Sequence, residues 1–266
     1  MPFVQANGIN LYYERAGSGP LLLYISGTGG DLRYKPNVFD GPLGKSFDVL
    51  AYDQRGLGRS DKPDVPYSMA DYADDAAALM ADQGWEQALV VGVSFGGMVA
   101  QELVLRHPER VKRLVLACAS PGGDGGASFP FHEIGHLKGE DRARFVLPIA
   151  DTRRDGAWIA AHPDEFRLLV AMAAADPFGG EPGHAAGAHR QLEARAAHDT
   201  WDRLPQIACP VMIAAGRYDG VALPATQERL AARIPGAILQ WFEGGHLFIQ
   251  QDRAAAPAMA AFLTAP

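Results

Sequence analysis

The stretch Ala88-Leu89-Val90-Val91-Gly92-Val93-Ser94-Phe95-Gly96-Gly97 decides how the rest of the chain reads. Its first half is an apolar run with no alternation, the pattern of a strand buried on both faces. Phe95–Arg106 reads as a helix that Pro108 stops. At the junction stands G-x-S-x-G with Ser94 at its centre. A sharp strand-to-helix turn strains the serine backbone and holds its hydroxyl out at the amino end of the helix. Small neighbours at Gly92 and Gly96 avoid the clash. The plain alternative is a Gly-Ser-Gly turn that only joins strand to helix.

A serine at its own pKa is a poor nucleophile and needs a base held by a third group. Asp219 lies just past the apolar run 211–215, in Gly216-Arg217-Tyr218-Asp219-Gly220, and His246 follows the run Ile238–Phe242 in Glu243-Gly244-Gly245-His246-Leu247. The order Ser94, Asp219, His246 is that of hydrolases with this elbow. Asp219 also reads as a turn or capping aspartate, His246 as a loop histidine, and Asp124 as a less well placed rival acid. Acyl transfer further needs backbone donors for the oxyanion. Phe95 supplies one, and the loop Ser26-Gly27-Thr28-Gly29-Gly30-Asp31 supplies the other, Thr28 before Gly29. That loop lacks both G-x-G-x-x-G and a P-loop lysine, so it does not read as a nucleotide cradle.

Around this centre, Asn7-Gly8 reads as a hairpin turn between strands 3–5 and 9–15. Buried parallel strands follow at Leu21–Ile25, 47–52, Ala88–Val93, 111–118 and 211–215, with a last one at Ile238–Phe242. Helices are expected at 69–83 behind Ser68, at Phe95–Arg106, at Pro224–Arg233 and at 253–262. The class is α/β, a mostly parallel doubly wound sheet of about eight strands with right-handed crossovers. Alternation breaks between 121 and 199, where helical segments at 141–149, 164–175 and 188–197 lie among Gly- and Pro-rich joints. The expected division is a core of 1–120 and 200–266 with a helical insert, 121–199, after the sixth strand.

The 266 residues carry 24 Lys and Arg against 31 Asp and Glu, a formal charge of −7, with no basic run. That composition argues against nucleic acid and anionic membrane as partners. No apolar run nears the roughly 18 residues of a membrane helix, and the amino terminus has no signal pattern. The two cysteines, Cys118 and Cys209, sit in apolar runs and read as free buried thiols. The expected compartment is the cytoplasm. The oligomeric state stays open, a homo-oligomer included.

With these motifs in order, the chain resembles the α/β-hydrolase fold family over essentially its whole length. Asp53-Gln54-Arg55-Gly56-Leu57-Gly58-Arg59-Ser60-Asp61 is similar to the family's D-x-R-G-x-G-x-S loop, where Arg55 and Ser60 read as structural braces. The insert sits where members carry a lid. Ser26-Gly27 departs from the His-Gly of many members. Ser94 argues against the aspartate-nucleophile members, the haloalkane dehalogenases and epoxide hydrolases. The general pattern is most similar to lidded esterases and enol-lactonases. Carbon–carbon bond hydrolases and cofactor-free perhydrolases or haloperoxidases use the same residues.

One motif pulls elsewhere: His132-Glu133-Ile134-Gly135-His136 matches H-E-x-x-H, a zinc site if it lies on a helix. Arg142 occupies the third-ligand position, and Pro130 and Gly135 weaken the helix. The expectation is no metal and no organic cofactor, with His162, His184, His189 and His198 at the surface or in caps. A ligand receptor without turnover keeps the fold and denies the activity. A small, moderately apolar substrate is expected against Gly27, Gly29, Tyr34, Phe129, Phe131, Phe145, Trp158 and Leu247. Leu147, Phe166, Met172 and Phe248 are further apolar candidates, and Arg33 or an arginine of the insert is placed to meet a substrate carboxylate.

Overall fold

Asn7 and Gly8 both take positive φ, 48° and 82°, the geometry of a primed two-residue hairpin turn. It folds Phe3–Ala6 (β1) back on Ile9–Gly17 (β2) in antiparallel register. The computed structural model describes residues 2–265. After β2 come Leu21–Ile25 (β3), Pro42–Ser46 (α1), Asp48–Tyr52 (β4), Met69–Asp82 (α2), Ala88–Val93 (β5), Phe95–Arg106 (α3) and Val111–Ala117 (β6). The eight strands form one sheet in the order β1-β2-β4-β3-β5-β6 followed by Val211–Gly216 (β7) and Ile238–Phe242 (β8). All pairs from β4 to β8 are parallel, while β2 meets β4 antiparallel.

Alternate side chains of each strand feed two apolar layers. On one face Val90, Leu114 and Ile213 pack with Tyr72 and Leu79 of α2, Val99 and Leu103 of α3, and Leu230. On the other, Leu89, Val91 and Val115 pack with Leu43 of α1 and with Met259 and Leu263. Leu230 belongs to Pro224–Arg233 (α8) and Met259 to Ala255–Thr264 (α10), with the short Phe248–Gln251 (α9) between them. Helix α2 starts at a capping box, Ser68 Oγ accepting from the Asp71 amide and the Asp71 carboxylate accepting from the Ser68 amide.

Between β6 and β7 lie Gly139–Ala150 (α4), Gly156–Ala161 (α5), Pro163–Ala174 (α6) and His184–Ala196 (α7). Gly122 and Asp199 pair in an isolated antiparallel bridge, so the segment leaves and rejoins the core at one place. Ala143, Leu147, Phe166 and Val170 form a small apolar cluster of its own. Helix α7 instead presses on the 53–61 loop, where a Cβ on Gly187 would overlap the carbonyl oxygen of Gly56. Among the described residues no helix is long and apolar enough to cross a membrane.

Candidate active site

Ser94 joins β5 to α3 with φ 54° and ψ −116°, a region that side chains other than glycine rarely enter. Close packing enforces it: a Cβ on Gly96 would overlap the carbonyl oxygen of Ile25 at the end of β3. The hydroxyl is therefore held at the carboxyl edge of the parallel strands. Ser94 Oγ lies 2.8 Å from His246 Nε2, and His246 Nδ1 lies 2.8 Å from Asp219 Oδ2. The other Asp219 oxygen accepts from the Val221 and Ala222 amides at 2.7 and 2.9 Å, which fixes the carboxylate. Asp124 is exposed on a short turn and takes no part.

Helix α4 braces both partner loops. The His246 amide donates to the Ala150 carbonyl at 2.6 Å, and the Gly220 amide donates to Ile149 at 3.0 Å. Burial works against charge on the His246 ring. The Cys118 sulfur and the Asp219 carboxylate beside it outweigh that, and the pKa rises from 6.5 to about 10. Cys118, a free thiol at the end of β6 with φ 44°, has its sulfur within 4.8 Å of the nearest Asp219 and His246 ligand atoms.

Above Ser94 runs the loop after β3. A Cβ on Gly27 would sit 3.4 Å from Ser94 Cβ, in van der Waals contact, so the loop backbone runs directly beside the serine. The Gly29 amide donates to Gln191 Oε1 at 2.9 Å, which removes Gly29 as a second choice of oxyanion donor. The amides of Thr28 and Phe95 have no acceptor among the described residues. Phe95 opens α3, where an α-helix offers its N–H no partner of its own. The arrangement is chemically that of a nucleophile, a base, an orienting acid and two free N–H donors.

The family model for the alpha/beta hydrolase fold matches residues 20–252. The chain belongs to the alpha/beta hydrolase fold family. As a member of that family it is 30% identical to a protein of Azorhizobium caulinodans provisionally named carbamate hydrolase RutD, over 93% of this chain and 92% of the other. The enol-lactonase of Burkholderia xenovorans LB400 superimposes with a TM-score of 0.80 at 27% identity, covering 99% of this alpha/beta hydrolase and 100% of that chain. The meta-cleavage product hydrolase CumD of Pseudomonas fluorescens IP01 gives 0.77 at 25% identity, over 98% and 96%.

The candidate binding residues divide. Phe129, Phe131 and Phe145 form an aromatic cluster, with ring centroids 5.1 and 6.3 Å from Phe129, and Leu247 stands half-exposed beside His246. Tyr34 gives its hydroxyl to Asp176 at 2.8 Å and packs on Phe178, so it ties the core to the segment after α6. Trp158 is a correction: it stacks on His162 and joins the cluster between α4 and α6, where Leu147 and Phe166 are also buried. Phe248 is core, stacked on Phe242, and Met172 is exposed. His198 is not at the surface but buried, and burial pushes its pKa down to about 4.

Residues 131–136 form turns rather than a helix, so His132 and His136 do not share the helix face a zinc site needs. Arg55 pairs with Asp75 through two 2.6 Å bonds, both side chains buried. Ser60 Oγ donates to the Asp53 carbonyl and accepts from the Tyr12 amide. The reading along the chain missed Gln191, Ser128 and the role of Arg195, which donates to the Thr28 hydroxyl at 2.9 Å. No local pattern marks them, because their partners lie 162, 67 and 167 residues away.

Proposed function

We propose that this chain is a cytoplasmic serine hydrolase that cleaves a small-molecule carboxylic ester or lactone, with Ser94, His246 and Asp219 as catalytic triad. One observation carries the reading: an unbroken hydrogen-bonded chain links a backbone-strained serine, a histidine and a buried aspartate. His246 takes the Ser94 proton as Oγ bonds to the acyl carbon. The amides of Phe95 and Thr28 hold the oxyanion, each worth roughly 3 kcal/mol. His246 then passes its proton to the leaving oxygen, and the acyl–alkoxy bond breaks. Water, deprotonated by His246, attacks the acyl-enzyme, and Ser94 recovers its proton as the acid leaves. Residues 121–199 act as a lid whose aromatic cluster meets the substrate. The reaction uses no cofactor or metal.

Carbon–carbon bond hydrolysis on the same triad is the second reading, favoured by the likeness to a meta-cleavage product hydrolase. The test is intact-protein mass after a fluorophosphonate, and hydrolysis of a p-nitrophenyl ester, for wild type and Ser94→Ala with a chelator control. The expected result is a single adduct on wild type, none on Ser94→Ala, a fall of about a million-fold in kcat, and no effect of chelator. Full activity of Ser94→Ala would overturn the mechanism.

A further inference from the structure

Among the described residues, several buried or half-buried arginines are paired with carboxylates, and the buried Arg195 is not. Arg55 has Asp75, Arg33 has Asp31 and Glu181, Arg59 has Asp53 and Glu14, and Arg203 has Glu102. Arg33, placed by the sequence to meet a substrate carboxylate, thus has its fork filled. Arg195 on α7 is only 6% exposed and has no carboxylate within ion-pair distance among the described residues. Its Nε and Nη2 donate to Ser128 Oγ at 3.1 and 2.7 Å, and Nη1 donates to Thr28 Oγ1 at 2.9 Å. Two neutral hydroxyls therefore take three of the five N–H donors a guanidinium carries.

Arg142 makes the imbalance larger. It stacks on the same Phe131 ring, 5.5 Å from the centroid against 4.6 Å for Arg195, and among the described residues its guanidinium donates to the Ile134 carbonyl and meets no carboxylate. Loss of hydration pulls the Arg195 pKa from 12.5 down to about 10, and Arg142 pushes the same way against the pull of Cys118 and Asp219. An uncompensated buried cation is costly, and a well-placed, hydrogen-bonded anion offsets that cost. Beside the guanidinium opens a cavity of about 70 Å³, lined by Met98, Ser128, Phe129, His132, Arg195 and His198. Met98 is one helical turn past Ser94, and both ring nitrogens of His198 lack partners. Thr28, which Arg195 grips by the hydroxyl, follows Gly27, where an added Cβ would stand 3.4 Å from Ser94 Cβ.

We propose that Arg195, with Arg142 behind Phe131, is a carboxylate subsite, and that the preferred substrate is an ester carrying a second, ionised carboxyl group on its acyl portion. This rests on the serine-hydrolase reading above. A planar guanidinium fork matches a carboxylate in two parallel bonds, and its position beside Thr28 sets the charged end a few atoms from the scissile carbonyl.

The test is kcat/KM for monomethyl succinate, glutarate and adipate against the corresponding dimethyl esters, for wild type, Arg195→Gln and Arg195→Lys. The expected result is a preference of at least tenfold for one monoester in wild type. It falls at least tenfold in Arg195→Gln, chiefly through KM, and is partly restored in Arg195→Lys. Glutarate binding to Ser94→Ala by calorimetry is expected to vanish in Ser94→Ala/Arg195→Gln. Equal losses on both ester series in Arg195→Gln would mean a structural role and overturn the proposal. A wild type that favours the dimethyl esters overturns it without any variant. Fluorophosphonate labelling of wild-type Ser94 separates the two readings: labelling without a monoester preference sinks the subsite alone, and no labelling sinks the serine hydrolase.

Discussion

His246 gains more from Cys118 and Asp219 than it loses by burial, so its proton leaves at a higher pH than that of a free imidazole. Only the neutral ring takes the Ser94 proton, so turnover rises with pH and its midpoint lies alkaline of 6.5, towards about 10. Asp219→Asn moves the midpoint towards acid and lowers kcat by about 10⁴. A pH profile of kcat/KM on an activated ester checks both, and a wild-type midpoint at or below 6.5 contradicts the raised pKa. The same raised pKa stabilises the fold fully below pH 6.5 and ceases to do so as pH rises through about 10. Elsewhere, Asp75→Ala leaves Arg55 charged and buried. Its expected cost is about 3–5 kcal/mol in urea unfolding, and less for Arg55→Met/Asp75→Leu, which removes both charges. Ser94, Asp219 and His246 were legible because each follows an apolar strand and chemistry restricts the residue types. Arg195 was not, since being unpaired is a property of the folded neighbourhood and leaves no mark on flanking residues.

The reading of β5, α3 and α8 was correct to the residue, and that of α2, read as 69–83, was one residue too long. α3 and α8 are stopped before prolines, and β5 ends at the serine turn. α5 and α9, six and four residues long, are too short to show a period. Helix α7 was read from 188 to 197, but it begins at His184, because the Gly183 and Gly187 positions look like breaks until their packing is known. Gly187 gives the element-scale test. Helix propensity alone makes Gly187→Ala stabilising by up to about 1 kcal/mol, whereas overlap with the Gly56 carbonyl costs about 1–3 kcal/mol. The expected outcome is a lower Tm by calorimetry. A higher Tm would mean that α7 yields and is not seated on the 53–61 loop.

Across the whole molecule, two large apolar layers sandwich the sheet, while α4–α6 share a cluster of four buried side chains. Local opening free energy follows buried apolar contact, so amide hydrogen exchange is expected to be slowest in β3, β5 and β6 and fastest in α5 and α6. Mass-spectrometric exchange decides this, and uniform protection across 88–174 would refute it. The sheet was legible because unbroken apolar strands alternate with capped helices. The interior order of the insert was not, because its helices are short and are held by distant residues.

Helix α4 ends on the loops of Asp219 and His246, the segment after α6 reaches Tyr34 and Arg33, and α7 sits on Gly56. Only Gly156–Ala161 and Pro163–Ala174 stand clear of these attachments. Transplantation between relatives therefore has natural cut points. A graft confined to residues 155–174 exchanges α5 and α6 and leaves the triad loops and the Arg195 grip untouched. A graft that extends into α7 replaces Gln191 and Arg195 together and removes the side chains that hold the loop after β3.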